Sequence, residues 1–140
     1  MTAQVHAVVF QAVKAAGVDL STTILKPNMI TPGESSTQRV SVEQVAQATL
    51  RVLSQVPKEL AGINFLSGGI SDELAENYLN EICKMAKEEG QVNISASFGR
   101  AVVATPLKIW KGESANTKAA QDAVVERIKR CSQARIGMLV

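Results

Sequence analysis

Three features of the 140-residue chain predict a parallel α/β fold. Short apolar, β-branched runs alternate with longer stretches whose apolar residues recur at helical spacing, in the order helix, strand, helix, strand, helix, strand, helix. Alternation at this interval calls for βαβ units joined by right-handed crossovers. No linker or low-complexity tract interrupts it, so residues 1–140 read as one structural unit. Polar residues able to do chemistry fall just beyond the strand ends, the edge at which parallel α/β folds gather their ligands.

The first helix is read from "TAQVHAVVFQAVKAAG", where Val5, Val8, Val9, Ala12, Val13 and Ala16 share helical spacing and Gly17 supplies a left-handed stop. "STTILK" follows as a strand expected to be buried on both faces, halted by Pro27. After the Pro-, Gly- and Ser-rich loop "PNMITPGESSTQRV", Ser41 and Gln44 stand in capping-box spacing and open a second helix, which Pro57 closes. Its apolar stripe is Val42, Val45, Ala46, Thr49, Leu50 and Leu53. "AGINFLSGG" is a second strand ending in a Ser-Gly-Gly turn. Ser71 caps a third helix with Leu74, Tyr78, Leu79, Ile82 and Met85 on its apolar side, and Asp72 and Glu73 suit its positive end. "VNISASFGR" is a third strand. A short amphipathic segment, "AVVATPLKIW", leads to a last helix from about Asn116 to Ala134, with Ala120, Ala123, Val124, Ile128 and Cys131 on one side.

Composition narrows the chemistry. Apolar residues make up 46% and charged residues 20%, with a net charge of +2, the balance of an ordinary globular protein. The basic residues are scattered and aromatics are few, so nothing favours a nucleic-acid partner. Two distant cysteines, Cys83 and Cys131, lie in helical patterns without CxxC spacing and are read as reduced. With a single histidine, His6, they cannot build a metal centre of the usual ligand sets. No apolar run is long enough to span a bilayer, and "MTAQVHAVVF" lacks the marks of a signal peptide. A cytoplasmic location without membrane partners is expected.

Lys26, Ser67 and Arg100 each lie at or just past the end of a strand. A lysine on the inner face of a parallel barrel would sit in a low-dielectric cavity that favours its neutral amine, which can attack a carbonyl to form a Schiff base. The same position also suits a lysine whose head group snorkels to water. In "LSGG", Ser67 offers a hydroxyl, and Gly68 and Gly69 let the main chain approach an anion before a helix start, although Ser-Gly-Gly is common turn chemistry too. Arg100, after Gly99 in "SFGR", could clamp a phosphate through its planar fork of donors, or simply form a surface salt bridge.

Taken together, "LKPNM" followed by "TPG", then "GINFLSGG", then "SFGRA" with "LKIW" shortly after resemble the C-terminal half of class I fructose-bisphosphate aldolase, from about Val5 to about Arg130. The resemblance implies part of a (β/α)8 TIM barrel, its last three βα units, with these strands as the sixth, seventh and eighth. It implies reversible cleavage of fructose 1,6-bisphosphate to dihydroxyacetone phosphate and glyceraldehyde 3-phosphate in glycolysis, with neither metal nor other cofactor. Lys26 matches the Schiff-base lysine, and Ser67, Gly68, Gly99 and Arg100 match the group that binds the phosphate of the ketose. The partner implied is a phosphorylated ketose, and the family is usually homotetrameric.

The chain also departs from that pattern. The catalytic Asp and Glu residues and further active-site lysines of the family's earlier strands have no counterpart. Ser21 and Thr22 stand where Glu-Gly is usual, Val92 stands near a common tryptophan position, and "IGMLV" replaces a mobile tail ending in tyrosine. Three strands cannot close a barrel that needs eight. The expected interior face, read as Ile24, Lys26, Phe65 and Ser67, should therefore stay open to water, with unpaired strand edges that favour aggregation or a partner. Little aldolase activity is expected of these 140 residues alone, as a fragment or shortened product. A non-catalytic module binding sugar phosphates or a protein, or an inherited scaffold with unused residues, are the competing readings.

Overall fold

A computed structural model of the chain describes residues 1–33, 35–90 and 93–139. Val92, where the sequence places the start of the third strand, lies outside them, as do Glu34 of the Pro-rich loop and Val140 of the terminal "IGMLV".

Three strands, β1 (Ile24–Leu25), β2 (Gly62–Phe65) and β3 (Ile94–Ala96), form a parallel sheet in the order β1-β2-β3. Ile24 registers with Gly62 and Leu25 with Ile63, while Ile63, Asn64 and Phe65 register with Ile94, Ser95 and Ala96. The backbone pairing continues past the strands, since Leu66 N–H donates to Pro27 C=O at 3.0 Å and Ser97 N–H to Phe65 C=O at 2.8 Å. The segments that follow the strands are thereby held at one rim.

Helices α1 (Thr2–Ala15), α2 (Val42–Leu53), α3 (Asp72–Glu88), α4 (Arg100–Trp110) and α5 (Thr117–Arg135) complete the described architecture. The segment "AVVATPLKIW", expected only as an amphipathic stretch, is the body of α4, an 11-residue helix that tolerates Pro106 in its interior. Gly17 ends α1 in the left-handed region at φ 73°. The capping box at α2 is complete: Ser41 Oγ accepts from Gln44 N–H at 3.2 Å, and Gln44 Oε1 accepts from Ser41 N–H at 2.9 Å. This helix ends at Leu53, short of Pro57, with Ser54 N–H closing onto Leu50 C=O.

The core lies between α2, α3 and one face of the sheet, built on Met29, Val45, Leu50, Phe65, Leu79 and Ile82. Alternation along a strand then assigns the faces. Phe65 and Ile94 are core residues, and Leu25 and Ile63 pack against them, so these four face the helices. Ile24, Gly62, Asn64 and Ser95 have the opposite parity.

Three expectations need correction. The first strand is not buried on both faces: Ile24 is 56% exposed, because only its helix-facing side has anything packed on it. Phe65 does not stay open to water; it is fully buried at 0% exposure, one residue out of the phase that the sequence suggested. Ser67 is buried as well, at 5% exposure. The stripe of α1 is helical as read, with Val5, Val8 and Val9 exposed and Phe10 and Val13 reaching a small cluster with Leu20 and Leu60.

Candidate functional site

Lys26 follows Leu25 directly at the end of β1, with the parity of Ile24, and is exposed on the open face of the sheet. Continuing the β1–β2 register by one residue sets it opposite Asn64, which itself registers with Ser95. A lysine and two uncharged polar side chains thus form one row across the face away from the core. Asn64 and Ser95 are the residues that the sequence reading passed over. The signal was present in "GINF", where Asn64 is the single polar position and could have set the phase of the strand.

Past β2 the chain makes a tight turn. Ile70 N–H donates to Ser67 C=O at 2.9 Å across Gly68 and Gly69, whose φ values are 57° and 88°. Two successive left-handed residues are the mark of a type I′ turn, and only residues without a Cβ adopt both at low cost. The turn ends at Ser71, whose Oγ accepts from Leu74 N–H at 3.4 Å and so starts α3.

Past β3, Gly99 is the N-cap of α4, and its carbonyl accepts from Val102 and Val103 N–H at 3.0 and 3.1 Å. Arg100 is the first residue of that helix. Its guanidinium reaches back over the Ser-Gly-Gly turn, so that a Cβ on Gly69 would lie 3.6 Å from Nη2 and 3.8 Å from Nη1. The structure therefore brings together the turn after β2 and the arginine after β3. A compact anion could meet guanidinium donors and the main chain of a glycine turn there. Along the same rim, Lys26 stands one strand from the turn and two from Arg100, lateral separations of about 5 and about 10 Å at the usual spacing of neighbouring strands.

The supports behind this rim are polar as well. Thr105 Oγ1 of α4 donates to Asp72 Oδ2 of α3 at 2.7 Å. One turn further along α3, Glu76 is fully buried and faces Arg127 Nη2 at 2.6 Å and Arg130 Nε at 2.9 Å from α5. The hydrogen bond to Glu76 pushes the Arg130 guanidinium further above its ordinary pKa. Periodicity did not reveal this cluster, because Glu76, Arg127 and Arg130 are spaced like ordinary solvated positions of their helices.

A family model described as class-I fructose-bisphosphate aldolase matches residues 1–140. Among curated proteins, the cytoplasmic isozyme 2 of fructose-bisphosphate aldolase from Pisum sativum is 42% identical over 138 residues, covering 98% of this chain and 38% of its own length. Human fructose-bisphosphate aldolase B is 41% identical over 143 residues, covering the whole chain and 38% of the relative. Among solved structures, the aldolase of Plasmodium falciparum, crystallised as a ternary complex with TRAP and a small-molecule inhibitor, superposes with a TM-score of 0.91 at 34% identity, covering 99% of this chain and 40% of that one. The chain thus spans about two fifths of the length of these relatives, and its parallel three-stranded sheet with flanking helices is part of a TIM barrel. On the match across all 140 residues and on the shared fold, the chain belongs to the class I fructose-bisphosphate aldolase family.

Proposed function

We propose that this chain carries the ketose-binding half of a class I aldolase site. The amine of Lys26 attacks the ketose carbonyl, water leaves, and an iminium results. That iminium accepts the electron pair released when the C3–C4 bond of fructose 1,6-bisphosphate breaks and the C4 hydroxyl gives up its proton to a base, freeing glyceraldehyde 3-phosphate and leaving an enamine. Protonation at C3 and hydrolysis by water then release dihydroxyacetone phosphate and restore the amine, reversibly, in glycolysis. Ser67, Gly68, Gly99 and Arg100 hold the phosphate on the ketose side, and the reaction needs no metal or other cofactor. The cytoplasm is the setting, by analogy with the cytoplasmic isozymes among the relatives.

The observation that supports this reading is the position of the Arg100 guanidinium over the turn at Gly69, where guanidinium donors and the main chain of a glycine turn face the same space at the strand rim. Turnover also needs general acid and base groups, which the family resemblance puts on strands without a counterpart here. Binding without efficient cleavage is therefore the activity proposed for these 140 residues by themselves. A second reading, a non-catalytic sugar-phosphate or protein-binding module, is favoured by the exposure of Lys26 on an open face of the sheet.

Borohydride reduction in the presence of dihydroxyacetone phosphate separates the two. The enzyme reading expects a reduced adduct at Lys26 that disappears in Lys26→Met and is weakened at least tenfold in Arg100→Ala. Phosphate binding with no adduct supports the module, and an adduct spread evenly over surface lysines refutes a dedicated Schiff-base residue.

A further inference from the structure

The two halves of the proposed phosphate cradle come from separate loops, and something must set the gap between them. Ser67–Ser71 leads into α3, while Gly99–Arg100 opens α4. The backbone contact between the loops is made below the rim, at Ser97 and Phe65. Above it, the Arg100 guanidinium lies over Gly69, and a guanidinium on a long flexible stem does not by itself fix a distance. Among the described residues, the side-chain hydrogen bond between α3 and α4 is the one from Thr105 Oγ1 to Asp72 Oδ2, at 2.7 Å. Asp72 is the first residue of α3, directly after the turn, and Thr105 stands in the second turn of α4, the helix that Arg100 begins.

We infer that Asp72 and Thr105 are a positioning pair that sets the separation of the Ser-Gly-Gly turn from Arg100, and so the fit of the anion between them. The inference deepens the phosphate-binding reading and rests on it. Three features support the assignment. The bond is charge-assisted and short, the kind that holds geometry better than a neutral pair. It links the first turn of α3 to the second turn of α4, the two helices whose starts form the cradle. Asp72 also stands in the first turn of α3, where a carboxylate suits the positive end of the helix dipole.

The test uses the full chain and inorganic phosphate as probe. Thr105→Val keeps the size of the side chain and removes its hydroxyl, Thr105→Ser keeps the hydroxyl, and Asp72→Ala removes the acceptor. Phosphate affinity is read by NMR titration, and hydrogen exchange at the amides of Gly68, Gly69, Gly99 and Arg100 is read without ligand. The expected result is an affinity loss of about fivefold and faster exchange at those amides in Thr105→Val and Asp72→Ala, with Thr105→Ser close to the parent. Unchanged affinity and exchange in both disruptive variants overturns the inference, as does an equal loss in Thr105→Ser. If the parent binds no phosphate, the phosphate reading fails on its own. The exchange data then still decide whether the pair holds the two loops, with a rate change upholding the tie and no change ending both.

Discussion

Glu76 shows how one side chain can commit two helices. Its carboxylate is at 0% exposure, and two guanidinium groups from α5 converge on it, with the Cys131 thiol 3.7 Å from Oε1. Arg127 Nε finds no hydrogen-bond acceptor among the described residues, so Glu76 is the principal compensation for a side chain that is itself mostly buried. Removing it strands that charge. Glu76→Ala is therefore expected to cost about 3 kcal/mol of stability, lowering the urea midpoint by roughly 1–2 M, whereas an exposed ion pair would cost under about 1 kcal/mol. Both cysteines are free, as their helical placement suggested. Burial pushes the Cys83 thiol up to about 11 and, with Glu76 adding to it, Cys131 to about 11 as well, from an ordinary 9.0. Because the thiolate is the nucleophile, alkylation by iodoacetamide at pH 8 should be on the order of a hundredfold slower than for a free cysteine, recovering on unfolding in urea. The sign for stability follows: these thiols hold their protons longer when folded, so their contribution is complete below about pH 9 and is lost as pH rises toward 11. Fast alkylation of the native protein at pH 8 would contradict the buried placement.

Helix starts and turns were the most legible elements. Ser41 with Gln44, Ser71 before Asp72, and Gly17 after the first helix each act through local bonds that need no distant partner, and each is found as read. Ser41→Ala removes the hydroxyl half of the capping box while keeping the backbone N–H that donates to Gln44 Oε1, and should lower stability by about 1 kcal/mol, seen as a shifted thermal midpoint without loss of fold. What local reading got wrong was the phase of β2. In "GINFLS" both Asn64 and Phe65 offer a consistent two-residue alternation, and choosing Phe65 as inward reversed the faces of the strand. Only the helices on the other side decide between the two. α4 was under-read for a related reason: Pro106 argues against a helix interior, yet the tertiary contacts of α4 with α3 and α5 outweigh the lost hydrogen bond.

Taken as one body, the described residues cover the sheet on a single face. Ile24 and Lys26 stand on the bare side, while Val5, Val8 and Val9 leave a further apolar strip on α1. Parallel sheets are ordinarily covered on both faces, and strand edges with unpaired amides recruit other chains. Dilute solutions of these 140 residues are thus expected to self-associate, with sedimentation showing species that grow with concentration; a sharp monomer at all concentrations would contradict that. On the proposed function, mixing with a separately made N-terminal portion of a class I aldolase should suppress the association and raise cleavage of fructose 1,6-bisphosphate, since it would add further strands and carboxylates to those of these 140 residues.

The amino-acid sequence alone determined the alternation of elements, their caps and turns, and the order of Lys26, Ser67 and Arg100 along successive strand ends, because each depends on periodicity or on bonds spanning a few residues. Tertiary structure alone decided which face of the sheet is covered, that Arg100 lies over Gly69, and that Glu76 and Asp72 are tied to helices far along the chain. Those outcomes depend on contacts across 30 to 60 residues of sequence, for which no local pattern carries a signal.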